Sequence, residues 1–160
     1  MLLGILSDTH GHEPNTLAAA RMLKSLSIEA LLHCGDLCST EIPRLLRESP
    51  THYVFGNCDD DVRGMRLAIT AAGGHCHDWF GDLTLSGRRI ALLHGHEGKR
   101  FMQAIKSGDY DLVCYGHTHA AEFHHEGRTL VLNPGALYRA NPHTVAIVDL
   151  DTMTPQIISL

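Results

Sequence analysis

Seven residues of this chain offer oxygen or nitrogen ligands directly after short apolar runs: Asp8, His10, Asp36, Asn57, His94, His117 and His119. Two of them, His117 and His119, sit in Cys114-Tyr115-Gly116-His117-Thr118-His119. Alternate residues on an extended stretch can bracket two neighbouring ions, so this pair can serve two sites. Seven ligands exceed the needs of one tetrahedral zinc. They suffice for two ions if one carboxylate bridges. Mixed carboxylate and imidazole ligation suits Mn, Fe, Zn, Co or Ni, and no cysteine pair points to a thiolate site. Two ions about 3.5–4 Å apart form a clamp for in-line displacement at phosphorus or a carbonyl.

The elements that must position these residues follow from the apolar pattern. Strands are expected at Leu2–Leu6, Ala30–Cys34, His52–Phe55, Leu83–Leu85, Arg89–Leu93, Leu112–Tyr115, Glu122–His125, Thr129–Leu132 and Thr144–Leu150, with an edge strand at Gln156–Leu160. Helices are expected at Pro14–Leu26, Ser39–Glu48, Arg63–Ala72 and Gly98–Ser107. Strand–helix alternation gives way to hairpins in the second half. That order predicts a layered α/β fold with a mixed sheet or two packed sheets, and a single domain over residues 1–160. Five apolar runs end in a switch to Gly, Asp, Asn or His: Ser7-Asp8-Thr9-His10, Gly35-Asp36, Gly56-Asn57-Cys58-Asp59, His94-Gly95-His96 and Gly116-His117-Thr118-His119. Ligands of open α/β sheets bind beyond the carboxyl ends of the strands, where all five clusters fall.

The whole composition narrows the function classes. The net charge of -5 argues against a broad surface for nucleic acid. A small phosphate ester remains compatible, because bound ions supply local positive charge. No apolar run is long enough to span a membrane, and the first residues do not read as a signal peptide. Five cysteines without a CxxC read as reduced thiols of a cytoplasmic protein. Thirteen histidines match thirteen Lys plus Arg, a surplus that needs a positional explanation.

In this order and context, Asp8-x-His10, Gly35-Asp36, Gly56-Asn57-x-Asp59, His94-Gly95-His96 and Gly116-His117-x-His119 resemble the calcineurin-like metallophosphoesterases. They are most similar to the small single-domain bacterial and archaeal phosphodiesterases that share a fold with Vps29. The resemblance implies a layered α/β/β/α sandwich of two mixed sheets flanked by helices. It implies that Asp8, His10, Asp36 and His119 hold one metal and that Asp36, Asn57, His94 and His117 hold the other. Two divalent ions per chain are expected, Mn²⁺ first, with Ni²⁺, Zn²⁺, Fe²⁺ or Co²⁺ as alternatives. The implied activity is phosphodiester hydrolysis, with a bridging hydroxide as nucleophile. A phosphomonoesterase and an inactive Vps29-like binding scaffold are the alternatives. The expected partner is a small phosphodiester, and homo-oligomers are common in the family.

Many members carry a histidine after the motif asparagine, where it assists the leaving group. Cys58 stands there, so the catalytic candidates are His96 and Cys58, with His12 behind them. Cys58 reads more simply as a small buried filler, and His96 equally as a neighbour of the ligands. Asp59 is expected to orient a ligand histidine through its other ring nitrogen. Asp60 and Asp61 read as a solvated loop. His33, His52, His75, His77 and His143 read as surface or satisfied polar residues, and one of His124 and His125 should face solvent. Asn133-Pro134-Gly135 reads as a structural turn near the site.

Overall fold

A computed structural model describes residues 1–160. Its elements run β1 (Leu2–Leu6), α1 (Glu13–Ser25), β2 (Ala30–His33), α2 (Glu41–Leu46), β3 (Thr51–Tyr53), α3 (Val62–Ala71), β4 (His75–Cys76), β5 (Phe80–Leu85), β6 (Arg88–Leu93), α4 (Gly98–Lys106), β7 (Leu112–Cys114), β8 (Glu122–Glu126), β9 (Thr129–Asn133), β10 (Thr144–Asp149) and β11 (Thr154–Ser159). The first sheet has the order β11-β10-β1-β2-β3-β4 and the second β5-β6-β7-β9-β8. In the first, β1 to β4 are parallel, β10 is antiparallel to β1, and β11 is antiparallel to β10. In the second, β6, β7 and β9 are parallel and flanked by antiparallel β5 and β8. Both sheets are therefore mixed.

Alternation along the strands builds three apolar layers. Leu3, Ile5, Leu32, Leu92, Cys114 and Leu132 meet between the sheets. Leu6, Leu31 and Tyr53 point the other way, onto Leu23 of α1, Ile42 of α2 and Ile69 of α3. On the outer face of the second sheet, Ala91, Val113 and Val131 cover Ala104 and Ile105 of α4. The result is the α/β/β/α sandwich. The parallel strands β1, β2, β3, β6 and β7 all bring their carboxyl ends to one rim.

Two elements depart from the pattern expected. β4 pairs with β3 through two residues only, and His75-Cys76 carries no apolar run to mark it. β8 is an edge strand exposed along its whole length, so both His124 and His125 face solvent.

Candidate metal centre

Backbone geometry aims the ligands. Asp8 (φ 52°), His10 (φ 43°), Asp36 (φ 56°), His117 (φ 69°) and His119 (φ 58°) all adopt left-handed backbone. That region costs a non-glycine residue of order 1–3 kcal/mol and persists only where surrounding structure enforces it. Here the loops are tied to one another. Asp8 N–H bonds Gly35 O, His10 N–H bonds Asp36 O, and Gly116 N–H bonds His94 O. Asn133 donates to Gly116 O at 2.9 Å and to Thr118 Oγ1 at 3.0 Å, clamping the loop that carries His117 and His119. The Asn133-Pro134-Gly135 turn thus has the structural role expected of it.

Each carboxylate is held by one oxygen and left open at the other. Asp8 Oδ2 accepts the His117 N–H at 3.1 Å, and Asp36 Oδ1 accepts the Cys58 N–H at 2.9 Å. The histidines follow the same logic. His94 Nδ1 donates to Cys34 O at 2.8 Å, His119 Nδ1 to Arg139 O at 3.4 Å, and His10 Nδ1 meets Cys38 Sγ at 3.4 Å. Engaging Nδ1 turns Nε2 inward. His119 Nε2 lies 3.2 Å from Asp8 Oδ1, and His10 Nε2 lies 3.6 Å from Asp36 Oδ2. His94 Nε2 lies 3.4 Å from the same Asp36 oxygen and 4.0 Å from Asp8 Oδ1.

Three interlocked ligand groups result: Asp8, His10 and His119; Asp8, Asp36 and His94; and His10, Asp36 and Cys58. Asp8 Oδ1 and His94 Nε2 are buried with no hydrogen-bond partner. Buried polar groups are rarely left orphaned, and a carboxylate oxygen facing imidazole nitrogens is the donor set of a divalent cation. The residues present fit such an ion. Asn57 and His117 lie at the exposed rim. The His117 ring sits 5.2 Å from that of His94, and Asn57 Nδ2 bonds Cys58 Sγ at 3.4 Å.

The charges conform to this arrangement. Burial disfavours ionised Asp36, but the facing His94 imidazole and the Cys58 N–H outweigh it and hold the carboxyl well below its usual range. Burial likewise opposes protonated His94, and Asp36 and Asp8 overcome it and raise its pKa. His10 and His96 are lowered, chiefly by burial. Cys58 is exposed rather than a buried filler, and desolvation followed by Asp36 pushes its thiol up to about 11. His96 has its ring 5.5 Å from His94 and 6.2 Å from His117, with Nδ1 buried and unpartnered.

Asp59 is not behind a histidine. Its carboxylate accepts the N–H of Cys38 at 2.7 Å and of Gly56 at 2.8 Å, joining the Asp36 and Asn57 loops. Backbone carbonyls take the orienting role instead, because Cys34 O and Arg139 O lie nearer the rings. Asp61 is a helix cap, accepting the Gly64 N–H of α3, and His12 caps α1 through the Asn15 N–H.

Three further features escape sequence reasoning. His33 is fully buried; its Nδ1 accepts the Gly35 N–H and its Nε2 reaches Thr9 Oγ1 at 3.1 Å, tying the Asp8 and Asp36 loops together. Tyr138 lies 5.8 Å from His10 and stacks at 5.6 Å on His12. Cys38 braces His10. None of the three belongs to a motif; only His33 had a signal, a polar residue closing an apolar strand.

The calcineurin-like phosphoesterase superfamily domain matches residues 1–153. A curated relative, phosphodiesterase MJ0936 of Methanocaldococcus jannaschii, is 31% identical over 156 residues, covering 94% of both chains. A solved structure described as a novel archaeal phosphodiesterase superposes with a TM-score of 0.94 at 30% identity, covering 100% of both chains. Zinc-complexed Vps29 of Entamoeba histolytica, 17% identical with a TM-score of 0.67, covers 100% of this chain and 98% of its own, and shares the fold. With a family match over nearly its whole length and ligand-bearing loops at one rim, this chain belongs to the calcineurin-like phosphoesterase superfamily.

Proposed function

We propose that the chain is a phosphodiesterase dependent on two divalent metal ions. One observation carries the reading: Asp36 Oδ2 stands 3.6 Å from His10 Nε2 on one side and 3.4 Å from His94 Nε2 on the other. From that position Asp36 would be shared by two ions. Asp8, His10 and His119 complete one ligand set. His94, with Asn57 and His117 from the rim, completes the other. Divalent ions held there, Mn²⁺ first among them, would supply positive charge at the phosphoryl oxygens and would lower the pKa of a bound water from about 15.7 toward about 7. His96 stands beside this centre, placed to hydrogen-bond a phosphoryl or departing oxygen. Cys58, exposed at the same rim, is the second candidate donor. The exposed rim, without a covering segment, favours small diesters over a deeply enclosed monoester. The free thiols suit a reducing, cytoplasmic setting.

The test is hydrolysis of bis(p-nitrophenyl) phosphate by metal-stripped protein with Mn²⁺, Ni²⁺, Zn²⁺ or Mg²⁺ restored, and bound metal counted in parallel. Turnover rising with about two ions per chain is expected. The matching monoester is expected to react more slowly, and equal rates refute the diester preference. Two ions bound without turnover on either ester refute the enzyme reading and leave a Vps29-like scaffold.

A further inference from the structure

A cavity of about 480 Å³ opens between α4 and the segment joining β4 to β5. It is not part of the metal centre but is adjacent to it. Trp79 and Arg100 line both this cavity and the small recess that contains His94 and His96. Trp79 is the only tryptophan of the chain and remains 37% exposed. Its contacts are edge-type, at 5.7 Å from Phe55 and 6.1 Å from His96, and no ring stacks on it. Tyr110, the other aromatic residue of the wall with a polar end, is already engaged. The Arg89 guanidinium covers its ring at 4.9 Å, and its hydroxyl reaches Asp82 at 3.4 Å. Arg100 pairs only with Glu97, at 3.1 Å on the surface, and such exposed pairs leave the guanidinium free to exchange partners.

We propose that this cavity is a subsite for a nucleoside arm of the phosphodiester, an inference that rests on the hydrolase reading above. The volume suits a nucleoside-sized group, since small-molecule pockets run from about 300 to 1,000 Å³. The flat, exposed Trp79 ring stacks the base, a contact open to any base because each has a π-face. Arg100, between cavity and recess, holds a phosphoryl oxygen. Gln103, Ser107 and Asp109 on the far wall supply hydrogen-bonding groups for base edges and sugar hydroxyls. Only four of the ten lining residues are apolar, which does not suit an acyl chain.

The fluorescence of Trp79 reports the subsite directly. The metal-loaded protein is titrated with thymidylyl-thymidine and, separately, with dimethyl phosphate. Saturable quenching by the dinucleoside phosphate alone is expected. In a second arm, thymidylyl-thymidine competes against hydrolysis of bis(p-nitrophenyl) phosphate. Trp79→Ala and Arg100→Ala are each expected to weaken its inhibition constant about tenfold, in the range of a lost base stack for the first and of a lost charged hydrogen bond for the second. Arg100 lies on the exposed side of α4, so its variant keeps the test informative if Trp79→Ala does not fold. Fluorescence that responds no differently to the two ligands overturns the proposal. So does an inhibition constant identical in wild type and both variants. The fluorescence arm needs no turnover, so failure of the hydrolase reading and failure of the subsite are separate results.

Discussion

At the scale of single residues, the centre works by dividing each side chain into a held half and a free half. Asp36 gives one oxygen to the Cys58 N–H and keeps the other between His10 and His94. Asp36→Asn replaces an anionic ligand by a neutral one at the shared position. It is expected to lower bound metal to one ion or fewer per chain and turnover at least 100-fold, with the circular dichroism spectrum unchanged. Metal analysis and diester hydrolysis on the same preparation check this, and wild-type turnover with one ion lost would remove the shared-carboxylate reading. Asp59 belongs to the same scale but a different role. Asp59→Ala leaves the Cys38 and Gly56 N–H groups without their acceptor. A cost of about 2–3 kcal/mol in urea unfolding and a 10–100-fold loss of metal affinity are expected. A loss of activity without a loss of stability would instead put Asp59 in the chemistry.

At the scale of elements, what the sequence makes legible is the junction between a buried strand and a polar loop. Asp8, Asp36, His94 and His117 follow apolar runs long enough to identify, and those runs became β1, β2, β6 and β7. The supporting contacts are not legible in the same way. Asp59 and His33 act across loops that only folding brings together, so no local pattern marks their partners. β4 has two residues and no apolar alternation, and Trp79, just beyond it, stands in no motif. Cys58 looked like filler because its neighbours in sequence say nothing of the open rim that exposes it. Glycine positions show how tightly the loops meet. A Cβ on Gly56 would overlap the Asp36 carboxylate and lie 2.7 Å from Asp36 N. Gly56→Ala is therefore expected to displace Asp36, cutting metal affinity and turnover together by tenfold or more. Isothermal titration with Mn²⁺ checks it, and unchanged affinity would show that the two loops separate freely.

At the scale of the whole molecule, part of the histidine surplus gathers in the centre and part in a support beside it. His52 stacks on His75 at 4.8 Å and bonds His77 at 2.9 Å where β3, β4 and β5 meet. Burial pushes His33 down to about 3 and His52 to about 4, and lowers His77. Unfolded histidines titrate near 6.5, so below that pH the unfolded chain binds more protons than the folded one. The stability these three histidines contribute is thus fully present above about pH 6.5 and is lost as pH falls toward their folded values. His33 alone accounts for about 2 kcal/mol at pH 5. Urea unfolding at pH 7.5 and 5.0 is expected to show the loss, and His33→Gln or His52→Gln to flatten it. A pH dependence as steep in both variants as in the wild type would assign the titration to the metal centre instead. The left-handed backbone of five ligand residues has a consequence for how the protein tolerates change. Those positions are unfavourable for the residues that occupy them and comfortable for glycine. His117→Gly should therefore yield a chain that, without metal, melts at a higher temperature than the native sequence while binding ions poorly. Selection for robustness alone would drift toward that inert chain, so the strained histidine points to a demand other than stability.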